Sequence, residues 1–195
     1  MLLGKMSSGV CFIAVGPKAE LEKRLAREYV TLPVFTQVTS IPGMSDKQSS
    51  RLHKTTIPAW SPFDYTLYCD ADTRIYGDIA PGFEALASGF DLALAPSTNQ
   101  GDGAFWHIAH SEKDATISEL GYTPVQWQCG VMFIARNERT ARLFAMWNYE
   151  WKRYRDEDQA AFVRALHNAP VKIFALGYPW NGGAVIGHRF GACRG

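Results

Sequence analysis

Six apolar runs recur along the chain, at 10–15, 32–38, 65–69, 90–95, 126–135 and 171–176, and most are separated by stretches long enough to hold a helix. Each run is closed by glycine, proline, aspartate or a polar cluster, the punctuation that ends strands. Parallel neighbours in a sheet need a crossover of about a dozen residues or more, usually a helix, so this alternation restricts the chain to an α/β architecture. The expected fold is a mostly parallel central sheet flanked by helices. In sheets of that kind ligands lie outside the carboxyl ends of the strands, so the residues just past each apolar run are the first candidates for a site.

The intervening stretches carry helical signals. Leu21, Leu25 and Tyr29 recur every four residues behind Pro17, which suits a first helical position. A short helix is expected at 51–55 and another after Pro81, around Phe83 and Leu86. Asn137 caps a long helix whose Leu143, Trp147, Trp151 and Tyr154 share one face. Although Lys152, Arg153 and Arg155 flank that stripe and would suit a membrane interface or a partner helix, core packing is the simpler reading. Asp156-Glu157-Asp158-Gln159 reads as a capping box ahead of Phe162 and Leu166. Residues 97–111 hold Gly101, Asp102, Gly103, Phe105, Trp106, His107 and His110, and read as a long loop bearing large side chains, a candidate lid. The two histidines could ligate a metal and the aromatics could stack on a sugar, but packing down onto the body is the simpler expectation.

Composition narrows the function. A chain of 195 residues, 47% hydrophobic and 13% aromatic, is expected to form one domain, 1–195. Its formal charge of +1 supplies no global field for nucleic acid or anionic lipid, so any phosphate must be recognised locally. Cys11, Cys69, Cys129 and Cys193 form no Cys-x-x-Cys pair, which suits a reducing compartment. The opening apolar run is too short for a signal peptide, and no stretch reaches the ~20 apolar residues of a membrane span. A cytoplasmic protein, with peripheral membrane association open, is the expectation.

The run 65–69 ends in Asp70-Ala71-Asp72-Thr73. Aspartates at i and i+2 beyond a buried strand place both carboxylates on one side of the backbone at the ligand edge. Their hard oxygens suit Mg²⁺ or Mn²⁺, and such a cation stabilises a departing diphosphate as a Lewis acid. The spacing alone does not decide the matter, because Asp156 and Asp158 repeat it at a helix start that favours acidic side chains without any ligand.

Residues 61–79, SPFDYTLYCDADTRIYGDI, resemble the metal-binding stretch of GT-A glycosyltransferases of the glycogenin-like group. Cys129-Gly130-Val131-Met132-Phe133 resembles that group's acceptor-side strand, with Gln128-Cys129-Gly130 standing where the group carries Asn-Ala-Gly or Asn-Ser-Gly. Asp158-Gln159 is similar to its Asp-Gln helix start, and His188 stands where a late histidine completes the metal site, without the group's usual Lys-Pro-Trp behind it. The resemblance implies a single GT-A, Rossmann-like domain and a metal-dependent transfer of hexose from a nucleoside-diphosphate sugar, UDP being the expected nucleotide. It further implies a hydroxyl acceptor on a sugar, lipid-linked sugar or protein, and retention of configuration. On this reading Asp70, Asp72 and His188 hold Mn²⁺ or Mg²⁺, and Gln128, Gly130, Asp158 and Gln159 line the sugar and acceptor side.

For the donor, Ala14 and Gly16 end the first strand where a nucleotide would meet backbone N–H groups, and Ala71 lies between the aspartates. Arg51 and Lys54, three apart on a helix, could offset diphosphate charge, although a solvated face explains them equally well. An inverting course would need an acceptor base, for which Asp102 and Asp158 are the first candidates. Two rival functions share the fold class: a non-catalytic nucleotide-sugar binding module, and a sugar nucleotidyltransferase. The second normally carries a glycine-rich basic loop after the first strand, and GPKAE is poor in glycine. No P-loop motif is present.

Overall fold

A computed structural model describes residues 6–15, 31–37 and 40–188. Its elements in chain order are β1 (Ser8–Ile13), β2 (Val34–Gln37), α1 (Asp46–Lys54), α2 (Ile57–Trp60), β3 (Tyr65–Asp70), β4 (Thr73–Ile75) and α3 (Ala80–Ala87). Next come β5 (Leu92–Leu94), α4 (His110–Leu120), β6 (Val131–Ala135), α5 (Glu138–Tyr154), α6 (Gln159–Asn168), β7 (Ile173–Ala175) and β8 (Ile186–His188). The helix expected behind Pro17 lies outside the described residues.

The main sheet has the order β2-β1-β3-β6-β5-β7, and every strand runs in one direction except β6, which is antiparallel to both neighbours. The carboxyl ends of β1, β3, β5 and β7 therefore meet the amino end of β6 along one edge. A separate ribbon pairs β4 with β8, matching Thr73 to His188.

Side-chain alternation puts a different apolar cluster on each face of the sheet. Tyr68, Met132 and Ile134 pack against Leu143, Phe144, Trp147 and Trp151 of α5 and Phe162 of α6. Leu67, Cys69, Val131 and Phe133 pack against Ala85 and Leu86 of α3 and against Ile186. The tryptophan stripe of α5 is thus core, with Trp147 and Trp151 buried. Each large apolar side chain so buried contributes about 1.5–3 kcal/mol. None of the described helices is long and apolar enough to cross a membrane.

The cap expected at Asn137 forms, and α1 begins at Asp46, ahead of the helix expected at 51–55. Ser45 and Gln48 form a capping box at α1, and Asn137 and Thr140 do so at α5. At α6 the box does not form: Asp158 occupies the N-cap but makes no side-chain cap bond, because its carboxylate is drawn to the cations of α1. The strand expected over 126–135 begins only at Val131. Residues 126–128 instead run beside 95–97, with Ser97 N–H donating to Gln126 O at 2.7 Å and Gln128 N–H to Ala95 O at 2.9 Å. The loop expected over 97–111 ends where α4 begins at His110, a helix that no apolar period in the sequence marks.

Candidate active site

Asp70 is the last residue of β3, and its N–H donates to Gly130 O at 2.7 Å. The turn beyond it is clamped by its own residues. Thr73 Oγ1 donates to Asp70 O at 2.7 Å, and Arg74 Nη1 donates to Thr73 O at 2.6 Å and Ala71 O at 3.2 Å. Because Thr73 pairs with His188, this turn receives the histidine from the far end of the chain. Asp70, Asp72 and His188 consequently offer ligand atoms that all lie within 4.8 Å of one another.

Each of these side chains is held from behind. Tyr68, two residues before Asp70 and so on the same face of the strand, donates its hydroxyl to Asp70 Oδ1 at 2.6 Å, and Lys54 Nζ lies 2.9 Å from that oxygen. Asp70 Oδ2 faces His188 Nε2 at 3.9 Å, and Asp72 Oδ1 lies 3.1 Å from the same nitrogen. His188 Nδ1 is 2.7 Å from Asn181 Oδ1, a contact that fixes the ring with Nε2 presented to the aspartates. Gly130 provides the clearance. A Cβ there would stand 2.4 Å from His188 Cε1 and 2.8 Å from Asp70 Oδ2.

The donor set fits a divalent cation. Two carboxylate oxygens and a neutral imidazole nitrogen suit Mn²⁺ or Mg²⁺. The 3.1 Å approach of Asp72 Oδ1 to His188 Nε2 keeps the two within reach of one ion.

A second charged cluster adjoins the first. Lys54, though 1% exposed, is charged between Asp70 and Asp158, with Nζ 2.9 Å from Asp158 Oδ2. Burial alone would lower its pKa, but the two carboxylates outweigh burial and raise it. Arg51 lies 3.0 Å from Glu157 Oε2 and 3.7 Å from Asp158 Oδ2, and its pKa is raised chiefly by Asp158. Burial would raise the pKa of Asp158, yet Arg51 and Lys54 hold it below the usual carboxylate range. Asp70 is held low in the same way, burial being outweighed by Lys54, His188 and Arg51. Arg51 and Lys54 therefore line the candidate site, paired with its carboxylates, rather than a solvated face.

These groups line a cleft of about 870 Å³ at the edge where β1, β3 and β6 meet. Ile13, Val15, Arg51, Lys54, Asp70, Ala71, Asp72, Gln128, Gly130, Asp158, Gln159 and His188 all contribute to its wall. Ala14 is buried, with its N–H donating to Gln37 O at 3.0 Å, so the surface expected of it passes to its neighbours Ile13 and Val15. Gly16 lies outside the described residues. Gln159 and Gln128 form an amide row: Gln126 Nε2 donates to Gln159 Oε1 at 2.6 Å, and Gln159 Nε2 donates to Gln128 Oε1 at 3.3 Å. Cys129 also lines the cleft, but burial pushes its thiol well up and keeps it protonated.

Tyr68, Asn181 and Gln126 contact the candidate residues, and the sequence does not announce them. Tyr68 alone carries a usable signal, its two-residue spacing from Asp70 on one strand. Of the aromatic loop, Phe105 packs down as expected, whereas Trp106 is 71% exposed and lines the cleft with His107.

No protein-family model and no curated protein sequence matches the chain. Among solved structures, the chain is similar to mouse xyloside xylosyltransferase 1 in its apo form, with a TM-score of 0.53 and 16% identity over 86% of this chain and 72% of that one. It is similar also to a glycosyltransferase involved in glycosylation of the major capsid of PBCV-1, with a TM-score of 0.59 and 12% identity over 94% and 93% of the two chains. The galactosyltransferase LgtC, in complex with donor and acceptor sugar analogs, gives a TM-score of 0.56 and 11% identity over 81% and 70%. These neighbours are GT-A glycosyltransferases, and the chain has their α/β fold.

Proposed function

We propose that this protein is a glycosyltransferase that moves a hexose from a nucleoside-diphosphate sugar, with UDP the expected nucleotide, to a hydroxyl acceptor. The observation that carries this reading is the convergence of Asp70, Asp72 and His188 on one point of a cleft at the carboxyl edge of the sheet, in a chain with the GT-A fold. The motif order through 61–79, 128–133, 158–159 and 188 favours the glycogenin-like group within that fold.

Asp70, Asp72 and His188 would hold Mn²⁺ or Mg²⁺, which when bound supplies Lewis-acid stabilisation of the departing diphosphate. The chain's own residues divide the remaining work. Tyr68 and Lys54 occupy Asp70 Oδ1 and turn Oδ2 toward His188 and Asp72. Ile13 and Val15 offer an apolar wall to the nucleoside. Gln128 and Gln159 present amides to sugar hydroxyls, and Gly130 keeps the space behind them clear for Asp70 and His188.

The charged cluster and the cleft wall disfavour the two aspartates named as bases for an inverting course. An inverting transfer needs a base beside the acceptor. Asp158, ionised between Arg51 and Lys54 with a lowered pKa, is a weak one. Asp102 lies exposed in the Gly101–Gly103 turn and is not among the residues that line the cleft.

Incubation with UDP-glucose and UDP-galactose tests the proposal through released UDP. Release is expected with Mn²⁺ and is expected to fall to background with EDTA or in Asp72→Asn. Equal release without metal counts against the assignment, and binding of UDP without turnover would mark a binding module instead.

A further inference from the structure

We propose that Trp106 is the stacking platform of an acceptor subsite for a pyranose, so that the acceptor is a carbohydrate rather than a peptide; this rests on the glycosyltransferase function proposed for the cleft. The indole is 71% exposed although it lines the cleft, and it meets His107 edge to face with ring centroids 5.5 Å apart at 69°. An apolar ring of that size left in water at the mouth of a cleft is a surface awaiting contact.

The backbone before it fixes that placement. Phe105 has φ +59°, in the left-handed region that a bulky side chain rarely adopts. It is anchored on both sides of that conformation. Its ring is buried with Ala104, Ile108, Leu120, Ala160 and Val163, and its N–H donates to Gln126 Oε1 at 2.7 Å. Gln126 in turn donates to Gln159, the residue assigned to the sugar side. Burying Phe105 in this conformation leaves Trp106 projecting at the cleft, and the amide row couples the platform to the reacting end.

The chemistry around the ring selects the ligand. Ser97, Thr98, Asn99 and Gln128 border the same cleft with hydroxyls and amides. A pyranose has an apolar C–H face for the indole and a rim of hydroxyls for such groups. An anionic acceptor would instead ask for free cations, and Lys47, Arg51 and Lys54 are already paired with Asp156, Glu157, Asp158 and Asp70.

Saturation-transfer NMR with lactose, maltose, cellobiose and methyl β-D-galactopyranoside, in the presence of UDP and Mn²⁺, tests this directly. Wild-type protein is expected to saturate the ring protons of at least one of these sugars. Trp106→Ala is expected to bind that sugar about tenfold more weakly, and Trp106→Tyr to retain it. Calorimetry with UDP and Mn²⁺ on all three proteins separates the platform from the donor site: weaker sugar binding with UDP affinity kept supports the platform, and a parallel loss of both overturns it. If UDP binds but no sugar is saturated, or Trp106→Ala responds like wild type, the platform is overturned. If UDP itself fails to bind wild type, the glycosyltransferase reading falls, and the platform with it.

Discussion

At the scale of residues, the site depends on groups that touch no ligand. Asn181 is 3% exposed and fixes the His188 ring through Nδ1. Orienting groups of this kind typically change metal affinity by about 10–100-fold. Asn181→Ala is therefore expected to weaken Mn²⁺ binding at least about tenfold without UDP present, read by the free-Mn²⁺ electron paramagnetic resonance signal. Unchanged affinity would remove Asn181 from the site. Asp70 and Asp72 are legible in the sequence because a strand runs straight into them. The role of Asp158 is harder to read: an aspartate at a helix start satisfies the dipole rule by itself, and only the folded chain shows Lys54 and Arg51 reaching its carboxylate.

At the scale of elements, α4 is joined to α5 and α6 by a buried ionic network. Arg164 of α6 meets Glu112 at 3.0 Å and Glu150 at 2.9 Å, donates to Thr116 Oγ1, and lies 5.0 Å from the Tyr154 ring centroid. Arg153 extends the network to Glu119 at the surface. Arg164→Met strands the buried carboxylate of Glu112 and leaves Glu150 to Arg153 alone, and should cost about 3–5 kcal/mol in urea unfolding. Replacing Glu112 and Glu150 with Leu in the same chain should restore most of that loss, whereas a triple variant as unstable as the single one would refute the pairing argument. The same network explains why α4 is illegible in the sequence. Its inward residues are Glu112, Thr116 and Leu120, so the buried stripe is mostly polar and no apolar period marks it. The strands, α5 and the cap at Asn137 are legible because there burial and hydrophobicity coincide.

At the scale of the whole molecule, the cleft is assembled from both ends of the chain, with β1 and α1 supplying one wall and β8 returning His188 to Asp72. Occupancy should therefore stabilise the fold as a unit. UDP with Mn²⁺ at a hundred times the dissociation constant adds about 2.7 kcal/mol. For a chain of this size that amounts to a rise of roughly 5–10 °C in Tm. Differential scanning fluorimetry should show this rise for wild type and lose it with EDTA or Asp72→Asn; an equal rise with EDTA would detach the nucleotide from the metal. The reversal of β6 is invisible in the sequence, because an apolar run reads the same in either direction and only its neighbours set its sense.

That reversed strand has an architectural consequence. Since β5 leaves the sheet at the cleft and β6 re-enters it there, the whole excursion from Pro96 to Gly130 starts and finishes at the mouth. On the proposed function, exchanging it as a cassette leaves the sheet's threading intact and is expected to carry acceptor preference with it. Arg164 stays behind with Glu150 of α5 as one counterion, so the donor cassette has to supply the second carboxylate, the place that Glu112 holds.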